Sequence, residues 1–296
     1  MQSHYGPATL ARPAALNACM GNLFWLASYP KSGNTWLRAF LANLSADRAT
    51  PLPLSELPRW CEDEARPEHY SALAGRPSTE LGVAELCALR PQVHAALAAA
   101  SERTLFVKTH NFAGSYDGHP LHNPDVTAGA VYVVRNPLDV AISVAHHFGT
   151  DLDTAIARLE SDDVGTLNDA LFVSQVLGSW STHVASWVDQ EAPRLLVVRY
   201  EDLLEKPAKN FGKVAKLLGV ADKGRVERAI RHASFGTLAK MEQRDGFVEA
   251  SDKASRFFRA GRANQWRDKL TREQVGRVVA AHREQMQRFK YVPAGY

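Results

Sequence analysis

The sequence predicts a single-domain α/β protein built on a central parallel β-sheet flanked by helices. Short, almost wholly apolar runs recur along the chain, the pattern of strands buried on both faces. Longer stretches with helical periodicity separate them, as the crossovers between parallel strands require. Nothing resembling a flexible linker divides the 296 residues, so one folded unit accounts for the pattern.

In chain order, the first strand is Leu23–Ser28, LFWLAS, and a helix over 35–44 follows a short polar loop. Residues 50–81 are rich in Pro, Arg and Glu with weak periodicity, which predicts loops and short helices that form a lid over one side of a ligand site. An Ala/Leu-rich helix over 81–100 feeds a second strand at 104–108. The third strand, 130–134, runs through Pro137, a residue suited to a first helical turn, into a helix over Pro137–Phe148. A helical stretch is expected over 169–187, where Phe172, Val176, Trp180 and Trp187 are spaced to share one face and read as core. The fourth strand, Leu195–Arg199, precedes helices at 207–218, 226–232 and 271–289. Ligands of such a sheet bind where the C-terminal ends of the strands open. Residues 1–20 carry a lone Arg12 and no apolar h-region, so they read as a loose tail ahead of a folded domain at 21–296, with Met20 an alternative start.

The 35 Lys+Arg against 32 Asp+Glu leave a formal charge of +3, too small to argue for nucleic-acid binding by bulk electrostatics. Cys19, Cys61 and Cys87 lie far apart with neither disulfide nor metal-ligand spacing. No apolar run reaches the ~18 residues that a spanning helix needs. The expectation is a soluble, cytoplasmic protein with no nucleic-acid or membrane partner.

Four segments carry chemistry. In Tyr29-Pro30-Lys31-Ser32-Gly33-Asn34-Thr35-Trp36 a strand gives way to a loop that reopens as a helix. Such a loop points backbone N–H groups and a helix N-terminus at an anion, while Lys31 supplies charge and Ser32 and Thr35 supply hydroxyl donors. A nucleoside triphosphatase loop reads G-x-x-x-x-G-K-[ST]. Here the lysine precedes the glycine, where it could meet the terminal group of a nucleotide instead of lying beneath it. The second segment ends the strand at Arg135 and continues to Ser143 on the following helix. Both can converge on one phosphate; the lesser alternative is an Arg135–Asp139 ion pair that caps the helix. The third, Phe106-Val-Lys108-Thr-His110, sets a lysine and a histidine on the same side of a strand end. The fourth, Arg256-Phe-Phe-Arg259-Ala260-Gly261-Arg262-Ala-Asn264-Gln265-Trp266, is arginine-rich, and alone it would read as a solvated basic face.

Spanning residues 23 to about 270 in the same order, these segments resemble the cytosolic aryl and alcohol sulfotransferases and their bacterial relatives. The resemblance implies the P-loop, nucleoside-triphosphate-hydrolase-like variant of the α/β fold. It also implies the donor 3′-phosphoadenosine 5′-phosphosulfate, no metal, and a small-molecule hydroxyl acceptor. It makes the segment from Lys31 to Trp36 the 5′-phosphosulfate loop and gives the 3′-phosphate to Arg135 and Ser143. The adenine would lie between Trp36 and Phe235, with Tyr200 on its edge; Ala233 stands where the family usually has a threonine. In the C-terminal R-K-G-x-x-G-D-W segment, Arg259, Gly261 and Trp266 match, whereas Ala260, Asn264 and Gln265 depart from the pattern and Arg262 offers a replacement charge. Lys31 would meet the leaving-group charge, Ser143 would tether Lys31 before the acceptor arrives, Lys108 would steady the sulfuryl oxygens, and His110 would be the general base.

Two other readings compete: a P-loop small-metabolite kinase using magnesium, and a non-catalytic nucleotide-binding module. The acceptor pocket is expected from 50–81, 111–122 and 146–169, with His146, His147 and Phe148 either lining it or forming an exposed helix end. Monomer and homodimer both stay open, because Arg272 and Gly276 do not match the family's dimerisation pattern.

Overall fold

The structure, a computed structural model, describes residues 22–190, 194–250, 253 and 256–296; the expected tail at 1–20 lies outside the described residues. β1 (Leu23–Ser28) runs into α1 (Asn34–Ala46). Residues 50–81 hold α2 (Leu57–Trp60), β2 (Glu62–Asp63) and α3 (Pro67–Ala74), and α4 (Val83–Ala99) leads to β3 (Leu105–Thr109). A hairpin of β4 (Ser115–Tyr116) and β5 (His119–Pro120) precedes β6 (Thr127–Val134), α5 (Pro137–Phe148) and α6 (Leu152–Glu160). Next come α7 (Trp180–Val188), β7 (Leu195–Arg199), α8 (Tyr200–Glu205), α9 (Pro207–Leu217) and α10 (Lys223–His232). The chain closes with α11 (Phe235–Asp245), α12 (Trp266–Lys269) and α13 (Arg272–Arg288).

Five strands form a parallel sheet in the order β2-β3-β1-β6-β7. Alternation along the strands divides the core into two layers. Leu23, Trp25, Val107 and Tyr132 pack on one face with Trp180 and Trp187. Phe24, Leu26, Phe106 and Val133 pack on the other with Phe40 and Phe211. The register sets Ala27 beside Thr109 and Tyr132, and Val134 beside Arg199. The residues that follow β1, β3, β6 and β7 therefore open along one edge, where a parallel sheet holds its ligands. No described helix is long and apolar enough to cross a membrane.

The four expected strands and most expected helices are present; Leu23–Ser28, Leu195–Arg199 and Pro137–Phe148 keep their expected ends and the others shift. The helix expected over 169–187 is a correction: only Trp180–Val188 is helical. Gly178 at φ 66 and the Ser179 side chain, which accepts from Thr182 N, start the helix late. Ahead of them the chain is extended. Val173 N donates to Ala65 O, Phe112 N to Val176 O, and Val176 bridges Gly165. Of the expected stripe, Trp180 and Trp187 are core, while Phe172 lines the cavity described below. Strand β2, which the weak periodicity of 50–81 gave no sign of, adds the sheet's edge beside β3.

Candidate active site

The loop after β1 is wound tightly. Lys31 takes the left-handed conformation at φ 67 and Gly33 sits at φ 106. A Cβ on Gly33 would lie 2.7 Å from the Tyr200 ring, so only glycine lets the loop pass the aromatic. The Asn34 side chain ties the loop back to its strand, donating to Leu26 O at 2.8 Å. Ser32 Oγ and Asn34 Oδ1 are buried with no hydrogen-bond partner among the described residues. Lys31 Nζ lies 3.3 Å from His147 Nδ1 and 4.1 Å from the centre of the Phe257 ring. The expected tether to Ser143 is thus replaced by His147 and Phe257. Burial lowers the Lys31 pKa to about 8, partly countered by the carboxylate of Glu249.

Arg135 leaves β6 toward this loop. Its Nη1 donates to Lys31 O at 2.9 Å, its guanidinium stacks 4.4 Å over Tyr200, and its buried Nε has no partner among the described residues. The alternative ion pair with Asp139 is not formed: that carboxylate accepts from Asn264 N at 2.7 Å and Trp266 N at 3.1 Å. Asp139 thereby fixes the C-terminal loop, whose departures from the family pattern become intelligible. Asn264 takes φ 61, a conformation that asparagine tolerates where glycine would be at ease. Gln265 is buried and accepts from Arg259 Nη2 at 2.7 Å. A Cβ on Gly261, at φ 57, would collide with the Phe235 ring at 2.2 Å. Burial, then Arg135 and Arg262, lower the Arg259 pKa; the three guanidiniums concentrate positive charge there.

At the end of β3, every side chain from Lys108 to Asn111 is held. Lys108 Nζ pairs with Asp63 at 2.7 Å. Thr109 Oγ1 and Asn111 Nδ2 both donate to Glu64, which also accepts from Gln175 Nε2 at 3.3 Å. His110 Nδ1 lies 2.8 Å from Ser28 O. A carbonyl only accepts, so Nδ1 carries the proton and Nε2 keeps its lone pair. Burial, then the Lys108 charge, lowers the His110 pKa to about 4, so the ring is neutral at pH 7. Asp63 and Glu64, adjacent on and just after β2, were invisible in the sequence, and no spacing pattern marks them.

Every residue expected to bind the donor or to act in catalysis, except Ser32, lines one cavity of about 630 Å³. The lid and acceptor residues expected from 50–81 and 111–122 do not line it, and of the expected acceptor segments only 146–169 does. Lys31, Gly33, Asn34, Thr35, Trp36, Arg135, Ser143, Tyr200, Phe235, Arg259 and Gly261 meet Lys108 and His110 there. Trp36 stands edge-on to Tyr200 at 5.6 Å. Tyr29, Phe148, Phe172, Leu177 and Phe257 form an apolar wall, and His147 also faces inward. Leu167, Leu171 and Val248, exposed by 82%, 67% and 74%, also line the cavity.

The family model for the sulfotransferase domain matches residues 22–290. The chain belongs to the sulfotransferase family. This sulfotransferase is 30% identical to mouse sulfotransferase 1B1 over 166 residues, about half of each chain at 53%. It is 27% identical to Arabidopsis thaliana cytosolic sulfotransferase 16, over 86% of this chain and 73% of the relative. Two solved structures share its fold. Mouse sulfotransferase SULT7A1 complexed with PAP has a TM-score of 0.60 at 21% identity, covering 90% of this chain and 84% of that one. Retinol dehydratase in a complex with retinol and PAP has a TM-score of 0.61 at 20% identity, covering 91% and 82%. The architecture is the P-loop-like α/β fold.

Within this sulfotransferase the cavity joins three chemical capacities. Backbone N–H groups, Lys31, Arg135 and Arg259 can hold a polyanion. Lys108 can meet charged oxygens within the cavity, and the free lone pair of His110 Nε2 can accept a proton.

Proposed function

We propose that this protein transfers the sulfuryl group of 3′-phosphoadenosine 5′-phosphosulfate to a hydroxyl of a small, largely apolar molecule, releasing 3′,5′-adenosine bisphosphate. The observation that carries this reading is the convergence of Lys31, Lys108 and a His110 with its proton fixed on Nδ1 in a single cavity. The fit to the donor is supported by the unpartnered buried Ser32 Oγ and Arg135 Nε, and by Gly33 and Gly261, where a Cβ would fill the cradle. PAP in both solved relatives points to the same donor.

In the proposed step, His110 Nε2 removes the acceptor's proton as its oxygen forms the new O–S bond, and the S–O bond to the phosphate breaks. Lys31 and the loop N–H groups stabilise the charge that develops on the leaving phosphate oxygen, Lys108 steadies the sulfuryl oxygens, and no metal takes part. Arg135 and Ser143 hold the 3′-phosphate, while Trp36, Tyr200 and Phe235 enclose the base. Asp63 and Glu64 are positioning residues that fix Lys108 and the flanks of His110. The relatives named cytosolic support a cytoplasmic location. His110→Ala is expected to lower turnover at least 100-fold while the bisphosphate binds within about threefold of the unaltered protein by calorimetry. Equal turnover in the variant rejects His110 as the base.

A further inference from the structure

Of the charged groups that line the cavity, Glu249, Arg158 and Asp169 have no part in that reaction, and Glu249 is the one nearest the anion loop by its contact with Thr35. Glu249 is partly buried, its side chain 15% exposed, and its Oε1 accepts from Arg38 Nη1 at 2.6 Å. Arg38 is 2% exposed and sits one turn beyond Thr35 on α1. The other oxygen, Oε2, meets only the Thr35 hydroxyl among the described residues, at a long 3.4 Å. Burial opposes the charge, but Arg38 and Lys108 outweigh it and hold the carboxyl at about 2, so Glu249 is ionised. The anion loop offers the Thr35 hydroxyl to the donor's phosphate, and with that hydroxyl engaged Oε2 keeps no partner among the described residues. An ionised oxygen so placed penalises an acceptor that covers it with carbon and favours one that brings a donor to it. Arg38 already balances the charge, so a neutral hydroxyl meets the need. Tyr29, Phe148, Phe172, Leu177 and Phe257 supply an apolar part of the cavity lining.

We propose that Glu249, oriented by Arg38, determines acceptor specificity, and that the preferred acceptor carries a second hydroxyl beside the one sulfated, as in a catechol or vicinal diol on an apolar skeleton. This rests on the sulfotransferase reading above. The test compares kcat/KM for a catechol and for the phenol of the same skeleton, using the full chain with the phosphosulfate donor. Glu249→Leu is measured beside the unaltered protein, with bisphosphate affinity followed by calorimetry. The double variant Arg38→Met/Glu249→Leu covers a folding failure of the single one, since replacing a buried pair with apolar residues is often neutral in stability. The unaltered protein is expected to favour the catechol by about tenfold or more. Either variant should bring the ratio close to one while bisphosphate affinity stays within about threefold. An unchanged ratio in the variants overturns the assignment, as does equal use of both acceptors by the unaltered protein. A loss of bisphosphate affinity in step with turnover overturns it too, because Glu249 would then act by holding its segment in place. A protein that sulfates other hydroxyls but neither of these acceptors overturns this assignment alone, whereas one that binds the bisphosphate and sulfates no hydroxyl of a wider panel overturns the transfer reading and this assignment with it.

Discussion

Lys31 is held in the left-handed region at φ 67, a conformation that costs a non-glycine residue about 1–2 kcal/mol and that persists because Arg135 grips its carbonyl. Its ammonium is buried against His147 and Phe257, and its pKa falls to about 8. An anion binds the charged form, so affinity should decline as pH rises through that value. Bisphosphate binding followed by calorimetry from pH 7 to 9.5 is expected to weaken progressively, by up to about tenfold per pH unit. Lys31→Arg should abolish the decline, since a guanidinium stays charged. A flat profile in the unaltered protein contradicts the placement of this charge at the phosphates. The sequence showed Lys31 through its position before Gly33, a local pattern. It could not show His147 as the partner: a histidine on a helix end 116 residues away leaves no mark until the two elements pack.

At the scale of elements, the site depends on two braces. One is β2 with Glu64, whose carboxylate joins Thr109, Asn111, Gln175, His94 and Arg90 in a fully buried network. Glu64→Ala would strand Arg90 without its counter-charge and is expected to cost about 3–5 kcal/mol, read as a fall in the denaturant midpoint. A change under about 1 kcal/mol would show the network to be dispensable. The other brace is Asp139, which holds the backbone of Asn264 and Trp266. Asp139→Ala should free the loop bearing Arg259 and Gly261 and weaken bisphosphate binding about tenfold or more, as loss of two charge-assisted hydrogen bonds implies. Unchanged binding would detach that loop from the nucleotide. Strands β1 and β6 were legible because each is an apolar run that ends in a charged or glycine-bearing turn. β2 was not, because two acidic residues at a sheet edge have neither length nor alternation. Likewise the helix over 169–187 was overread: aromatic spacing suited a helix, but Gly178 and the hydrogen bonds of Val173 and Val176 to distant segments kept the first half extended.

Across the molecule, the sheet collects residues from four strand ends into one cavity, and the polar groups behind it are sealed from water. His110, His122, His183 and His282 are all kept neutral by burial, with pKa values lowered to about 4, 3, 3 and 4. Below pH 6.5 the unfolded chain binds a proton at each while the folded chain does not, so stability falls as pH drops toward those values. Each histidine removes about 1.4 kcal/mol per pH unit, and four together consume a typical 5–15 kcal/mol within about two to three units. The melting temperature should therefore drop steeply from pH 6.5 to 4, and a Tm constant over that range would contradict the burial of these rings. The parallel order of the strands and the location of the site were legible in the chain as a whole. The acceptor wall was legible only at His147 and Phe148, because the rest is assembled from Tyr29, Phe172 and Phe257, single aromatics on separate segments. The most direct measurement is sulfuryl transfer by the full chain from 3′-phosphoadenosine 5′-phosphosulfate to a panel of phenols and catechols in excess chelator, with both products followed by mass spectrometry. Sulfated acceptor and 3′,5′-adenosine bisphosphate should form in equal amounts, and both should form at least 100-fold more slowly with His110→Ala. Transfer that requires added magnesium, or bisphosphate binding with no transfer to any hydroxyl, would contradict the proposed function.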